Sequence, residues 1–384
     1  MRGLYLHFFN LNEFSGISKK ISYQIDALRE CGLEMSICHM SFSESGAQTR
    51  LCDNVVIDDF GRGIWAKFGK WFLFSNLERY IYKNQIAFLY VRSFYNTNPS
   101  LLMLFTRLHK RGVKIVIEYP TYPYDIETKS EHIRYQPIFL LNRVFRRFLK
   151  GRIDGIVTFT SLQTIDGVKC INISNAIDFK SVRLRERTNY NGSKFLMIAV
   201  AEVHFWHGYD RVIAGLKHYY SNRHIVKNTP EVHFYIVGEG CKPDRDALIE
   251  LVKNEELEQY VHFHNNMYGK ELDEIFDSAH FAIASLARHR TGITYIKTLK
   301  NREYAARGIP FAYSEIDDDF ENMEYILKVP ANDSPIDIRS LIEFFESRDF
   351  CPIDIRRSIE GNLSWKVQMK RVLDSVFGTG DQFS

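Results

Sequence analysis

Short apolar runs alternate along this chain with amphipathic stretches of helical period. Gly3 to Phe9, Glu34 to Met40, Asn54 to Ile57, Ile86 to Arg92 and Lys114 to Glu118 read as strands. The first is apolar nearly throughout, as strands of a sheet covered on both faces are. Between them Ile17, Ile21, Ile25 and Leu28 share one face of a helix ending at Gly32, and helices are predicted from about Trp65 to Lys83 and from Asn98 to Lys110. Gly155 to Phe159 and Val168 to Ile173 add two strands. A charged stretch without apolar period, 181–193, reads as a linker. The alternation then restarts with a strand from Lys194 to Val200 and a helix turning Val212, Ile213, Leu216 and Tyr220 inward. A strand opening at Val232 follows, then one from Val261 to His264, a helix from Glu271 to Ala279 and a strand from His280 to Ser285. Near the end, Trp365, Met369, Val372 and Val376 form an i, i+4, i+7, i+11 stripe behind Ser364, a good N-cap. This order predicts an α/β protein of doubly wound parallel sheets, with ligand held at the carboxyl ends of the strands.

The chemistry gathers at a few of those ends. From Ser285 to Ser314 a strand, a helix and a second strand follow without a break. Ile296, Leu299, Glu303 and Ala306 fall at i, i+3, i+7 and i+10, placing a carboxylate on the apolar stripe. Glu303 is then either an edge residue with its tip in water or an acid facing a cleft. Gly308 and Pro310 stop the helix, and Pro310 to Ser314 reads as the next strand. Two earlier strand ends, Arg92-Ser-Phe-Tyr-Asn96 and Glu118-Tyr-Pro-Thr-Tyr-Pro-Tyr-Asp125, are rich in polar and aromatic groups. Glu118 could serve as a general base, anchor a sugar hydroxyl or merely cap a loop. Gly238 and Gly240 form a turn that lets backbone approach a ligand. The acids of the loop Glu315-Ile-Asp-Asp-Asp-Phe320 look like magnesium ligands, but three adjacent acids on a surface turn are more often simply solvated.

Composition narrows the class. The 384 residues, 45% hydrophobic and 25% charged, suit two globular domains with ample core. A net charge of +3 carries no global nucleic-acid signature. Six cysteines without a C-x-x-C pair suit a reducing compartment. The N-terminal apolar run is too short for a signal peptide and no stretch reaches 18 uninterrupted apolar residues, so a cytoplasmic protein is expected. The absence of G-x-G-x-x-G disfavours a dinucleotide dehydrogenase. Segments 64–74 and 139–152 combine aromatic or aliphatic residues with Lys and Arg. They read either as outer helices of the sheet or as a peripheral contact with an anionic membrane.

The run Leu299-Lys-Asn-Arg-Glu-Tyr-Ala-Ala-Arg-Gly-Ile-Pro310 resembles the donor-nucleotide helix of two-Rossmann (GT-B) glycosyltransferases, family 4-like, of the bacterial surface-polysaccharide type. Ser174-Asn-Ala-Ile-Asp178, Gly208 with Asp210, and Val-Gly-Glu-Gly240 are similar to further motifs of that family. The resemblance implies an acceptor-binding domain over 1–180, a linker over 181–193, a donor-binding domain over 194–362 and a final helix, 363–384, returning to the first domain. It implies sugar transfer, with retention, from a nucleotide-sugar to a saccharide or polyisoprenoid-linked saccharide. No metal or cofactor beyond the donor is implied.

Residue by residue, Glu303 matches the acid that holds the nucleotide ribose, while Tyr295 stands where the family has a second Glu. Glu202 and His207 replace the Arg and Lys that grip the donor diphosphate, leaving Lys297, Lys300, Arg288 and Arg290 as the available cations. The implied donor site comprises Gly16, His207, Gly208, Gly238, Glu239, Arg290, Thr291, Gly292, Lys300 and Glu303. Arg92, Tyr119 and Tyr122 are expected at the acceptor, and Glu118 and Arg288 are the catalytic candidates. A nucleotide-sugar 2-epimerase and a catalytically silent binding subunit are the alternatives on the same fold.

Overall fold

The computed structural model describes residues 1–10, 16–122, 136–186, 189–222 and 229–378; residues 123–125, which end the Glu118 motif above, lie outside them. The chain divides into two compact units, Met1–Ser174 with Trp365–Ser384, and Asn175–Ser364.

The first unit is built on nine strands: β1 (Arg2–Leu6), β2 (Glu34–Phe42), β3 (Gln48–Cys52), β4 (Val55–Gly61), β5 (Phe88–Arg92), β6 (Lys114–Tyr119), β7 (Gly155–Thr158), β8 (Thr164–Ile165) and β9 (Val168–Asn172). Their order is β4-β3-β2-β1-β5-β6-β7-β9-β8. The centre is parallel, and β3, β4 and β8 are antiparallel additions. Its helices are α1 (Gly16–Glu30), α2 (Gly63–Phe72), α3 (Ser75–Lys83), α4 (Pro99–Lys110) and α5 (Gln136–Phe145). Asn98 caps α4 by accepting the Leu101 N–H at 3.1 Å.

Three local readings need correction. The single helix expected from Trp65 to Lys83 is two, broken at Leu73–Phe74. Arg50, only 1% exposed, donates to the carbonyls of Lys70 (3.1 Å) and Leu73 (2.8 Å) and so satisfies the end of α2. The basic face expected over 139–152 is not uniformly outward, because Arg146 is buried and faces Asp166 at 3.1 Å. Strand β3, antiparallel and opening with three consecutive polar residues, Gln48, Thr49 and Arg50, was missed.

In the second unit six strands, all parallel, run in the order β12-β11-β10-β13-β14-β15. They are β10 (Lys194–Val200), β11 (Glu231–Val237), β12 (Val261–His264), β13 (Phe281–Ile283), β14 (Phe311–Tyr313) and β15 (Ile326–Lys328). Helices α6 (Tyr209–Ser221), α7 (Lys242–Asn254), α8 (Gly269–Ser278) and α9 (Leu299–Arg307) connect them, and α10 (Ile338–Glu346) and α11 (Pro352–Glu360) follow β15. The described residues of the stretch read as a linker pack onto this unit. Arg185 is buried, donating to the carbonyls of Gly308 (3.1 Å) and Ala279 (2.6 Å), and the Tyr190 ring meets Phe195, His280 and Phe345. Side-chain bonds to backbone hold it, which is why no apolar period announced it.

The last helix, α12 (Trp365–Phe377), belongs to the first unit, where Gln368 accepts the Ser174 N–H at 2.8 Å and Phe377 packs on Phe88. No helix among the described residues is long and apolar enough to cross a membrane.

Candidate functional site

In an open parallel sheet the ligand crevice lies where the strand order reverses. For the second unit that point is β10/β13, with β11 and β12 on one side and β14 and β15 on the other. Four segments end there. The loop after β10 leads through His207 to Gly208, whose φ of +68° starts α6 in a left-handed conformation. A Cβ at Gly208 would stand 2.9 Å from Ala287 Cβ, so glycine is required for loop 286–287 to come close. After β13 come Ser285 and the short helix Arg288–Thr291. Thr298 caps α9, and Ser314 and Glu315 follow β14.

These segments enclose a set of incomplete polar groups. The Lys300 ammonium, in the first turn of α9, is fully covered and has no hydrogen-bond partner among the described residues, although part of its stem is accessible. Ser285 Oγ, Ser314 Oγ, Tyr209 OH and Glu315 Oε1 are likewise buried without a hydrogen bond. Burial, then the charge of Arg288, lowers the Lys300 pKa well below the usual amine range, against the pull of Glu315. Burial raises Glu315 to about 7, opposed by its own backbone N–H, Arg288 and Lys300. His207, buried and facing Lys300 and Arg288, is held well below the usual imidazole range and is neutral at pH 7. Arg288 lies 5.1 Å over the Trp206 ring. Unsatisfied buried groups of this kind are costly, and they mark a place built for a ligand or water.

The other expected cations are committed to the protein. Arg290 makes a bidentate pair with Asp210 (3.0 and 2.7 Å) and reaches Asp333 at 2.7 Å, tying its loop to the start of α6. Lys297 faces Asp319 at 3.6 Å. The acidic loop is only in part a solvated turn, with Ile316 and Asp318 exposed. Asp317 is buried, and Asp317 and Asp319 pair with the fully buried Arg302, whose Nη2 lies 2.9 Å from Asp317 Oδ1.

Thr291 and Gly292 close the short helix, Thr291 Oγ1 donating to the Arg288 carbonyl and Gly292 capping at φ +72°. Gly238 and Gly240 make room for protein rather than ligand: Cβ atoms there would run into the backbone of Ala201 and Val203. Glu239 is exposed, and its carbonyl accepts the Val203 N–H.

Glu303 departs from the apolar stripe expected of it. Helix α9 begins at Leu299, so Ile296 precedes it, and Leu299 is exposed. The buried side carries Asn301, Arg302, Tyr304, Ala305 and Ala306. Glu303 keeps 32% of its side chain accessible and accepts from Arg307 at 3.0 Å. Among the described residues, His204, Cys241 and Asp244 bring possible metal-ligand atoms within 4.8 Å of one another; Asp244 already accepts the Phe205 N–H at 3.0 Å.

The first unit holds a second buried cluster at its own reversal, β1/β5. Glu118, 0% exposed, accepts from Arg92 (2.5 Å), Tyr90 (2.6 Å) and Gln24 (2.7 Å), with Lys20 at 3.3 Å. Burial alone would raise its pKa; Lys20 and Arg92 outweigh burial and hold it at about 2. Such a carboxylate is a poor proton acceptor, which argues against the general-base role expected for it, and Arg92 is engaged with Glu118 rather than turned to an acceptor. Tyr119 is buried and stacks on Tyr122 at 6.3 Å. Gly16 is exposed at the start of α1, which delivers Lys20 and Gln24 to Glu118.

No family model matches the chain, and no curated protein matches it. Among solved structures it is similar to a sucrose-phosphate synthase from Thermosynechococcus elongatus, at 10% identity over 97% of each chain with a TM-score of 0.64. The chain has the GT-B fold. A glycosyltransferase from Rickettsia africae is similar at 12% identity, 97% of each chain and a TM-score of 0.62. Anabaena HepE, solved in complex with UDP, matches at 11% identity over 98% of this chain and 96% of that one, with a TM-score of 0.52.

The sequence motifs pointed to Lys300, Arg288 and His207, and the structure brings these three together. Glu315, Ser285, Ser314 and Tyr209 were missed as site residues. The available signal was position: Ser285, Ser314 and Glu315 lie within two residues of the ends of β13 and β14, and Tyr209 opens α6.

Proposed function

We propose that this protein is a glycosyltransferase. It takes a nucleotide-diphosphate sugar in the second unit and passes the sugar, with retention, to a saccharide or polyisoprenoid-linked saccharide in surface-polysaccharide synthesis. One observation carries the reading: a covered ammonium without a hydrogen bond, Lys300, at the strand-order reversal of a GT-B donor-type sheet. Lys300, Arg288 and the N-termini of α6 and α9 would neutralise the diphosphate as it leaves, electrostatic stabilisation being the main catalytic contribution. No metal is invoked, since side chains supply the positive charge. Glu303, partly accessible on α9, would accept from the ribose.

Thermal shift with UDP, GDP and ADP and their sugars tests this. Wild type should gain about 2.7 kcal/mol at 100 times the dissociation constant of one of them, and Glu303→Ala should lose most of that gain. No shift with any nucleotide would sink the reading. Anomeric NMR of the product tests retention, and an inverted anomer rejects it.

The membrane contact is assigned to α2, where Ile64 and Trp65 are 77% and 79% exposed beside Arg62 and Lys67. Co-sedimentation with phosphatidylglycerol vesicles should be lost in Trp65→Ser/Phe68→Ser; undiminished binding removes the assignment.

A further inference from the structure

Resting on that reading, the cradle in the second unit raises a question of charge. In the free protein two cationic side chains, Lys300 and Arg288, share a covered space with one acid, Glu315. Glu315 is 3% exposed. Its Oε1 has no hydrogen bond, and the carboxyl otherwise faces its own backbone N–H and that of Arg288. Three further neighbours among the described residues add no free charge. Lys328 of β15 donates to the Glu315 carbonyl and pairs with Glu321 at 2.6 Å. Arg211 of α6 is bound to the carbonyls of Leu286, Ser334 and Pro330. His207 is neutral at pH 7. Among the described residues, Glu315 is a buried acid that faces both Lys300 and Arg288.

A diphosphate entering beside Lys300 supplies the negative charge that Glu315 had been supplying. Two anions then compete for the same cations in a covered space, and a carboxylate so placed is the weaker competitor. We propose that Glu315 is the exchangeable counter-ion of the cradle. Without ligand its carboxylate balances Lys300 and Arg288; with a nucleotide diphosphate bound it takes a proton from solvent and donates that proton in a hydrogen bond to a phosphoryl oxygen. One proton is consumed and none is passed to the sugar. Glu315 therefore couples donor affinity to pH.

Calorimetry of UDP-glucose, GDP-mannose and ADP-glucose tests this, because their diphosphate diesters exchange no proton near neutrality. Titrations at pH 8 in buffers of different ionisation enthalpy count the protons. Wild type should take up about one per nucleotide-sugar bound, and its affinity should fall roughly tenfold between pH 7.5 and 8.5. Glu315→Gln should bind with no uptake and with pH-independent affinity. Binding by wild type without proton uptake overturns the proposal and leaves the glycosyltransferase reading standing. Uptake that persists in Glu315→Gln belongs to Lys300 or His207 and overturns it as well. No binding of any of the three overturns both.

Discussion

Both units bury a cluster of opposite charges where their strand order reverses, yet the two clusters are built differently. In the first, Glu118 is completed by protein: two cations, a phenol and an amide converge on one carboxylate. In the second, the Lys300 ammonium and Glu315 Oε1 are covered and have no hydrogen bond. A closed cluster can hold strands and helix together but has nothing left to offer a ligand. An incomplete one is paid for by the rest of the fold, and in the proposed reading a ligand completes it. Burial alone would have ranked Glu118 above Lys300 as a functional residue, whereas the count of satisfied hydrogen bonds reverses that order.

The largest expected effect separates the two directly. Glu118→Ala leaves Lys20 and Arg92 buried without their anion and should destabilise the protein by about 3–5 kcal/mol in urea unfolding. A loss under 1 kcal/mol would show that the first cluster is not closed. The pH dependence should differ in sign. Glu118 is held at about 2, below its ordinary 4.5, so its stabilisation is complete above pH 4.5 and lost as pH falls towards 2. Glu315 is raised to about 7, so its burial costs nothing below pH 4.5 and destabilises progressively as pH rises from 4.5 to 7. Each shift corresponds to roughly 3 kcal/mol. Glu118→Gln should flatten the acid limb of a stability-pH curve and Glu315→Gln the limb approaching neutrality; the same limb flattening in both variants would contradict the contrast. The smallest effect is at Glu303, whose Arg307 pair is partly exposed. Its removal should change stability by no more than about 0.5 kcal/mol while nucleotide binding is lost.

Much of this was legible in the chain. Lys194–Val200 and Val261–His264 are strands with the bounds their apolar runs suggested, and the Trp365 stripe is the final helix. Periodicity failed where polar groups do the packing. Arg302, Arg185 and Arg146 are all buried, each facing carboxylates or carbonyls far along the chain. An arginine destined for such a partner looks like any surface arginine. Glu303 shows the converse: a four-residue stripe placed it inward, but a helix starting at Leu299 and packed through Tyr304 and Ala305 turned it outward. The acidic loop misled for the same reason, since the guanidinium that claims Asp317 lies 15 residues upstream.

The most direct test of the incomplete cluster is Lys300→Met, measured twice on one sample: unfolding in urea, and titration with the nucleotide that stabilises wild type. Methionine keeps the stem and removes a buried cation that has no hydrogen bond. The variant should be as stable as wild type or more so, and should bind nucleotide at least about 30-fold more weakly, a loss of about 2 kcal/mol. A variant that is markedly less stable, yet binds nucleotide as well as wild type does, would mean that Lys300 is a structural cation like Lys20 and that the cradle is not a diphosphate site.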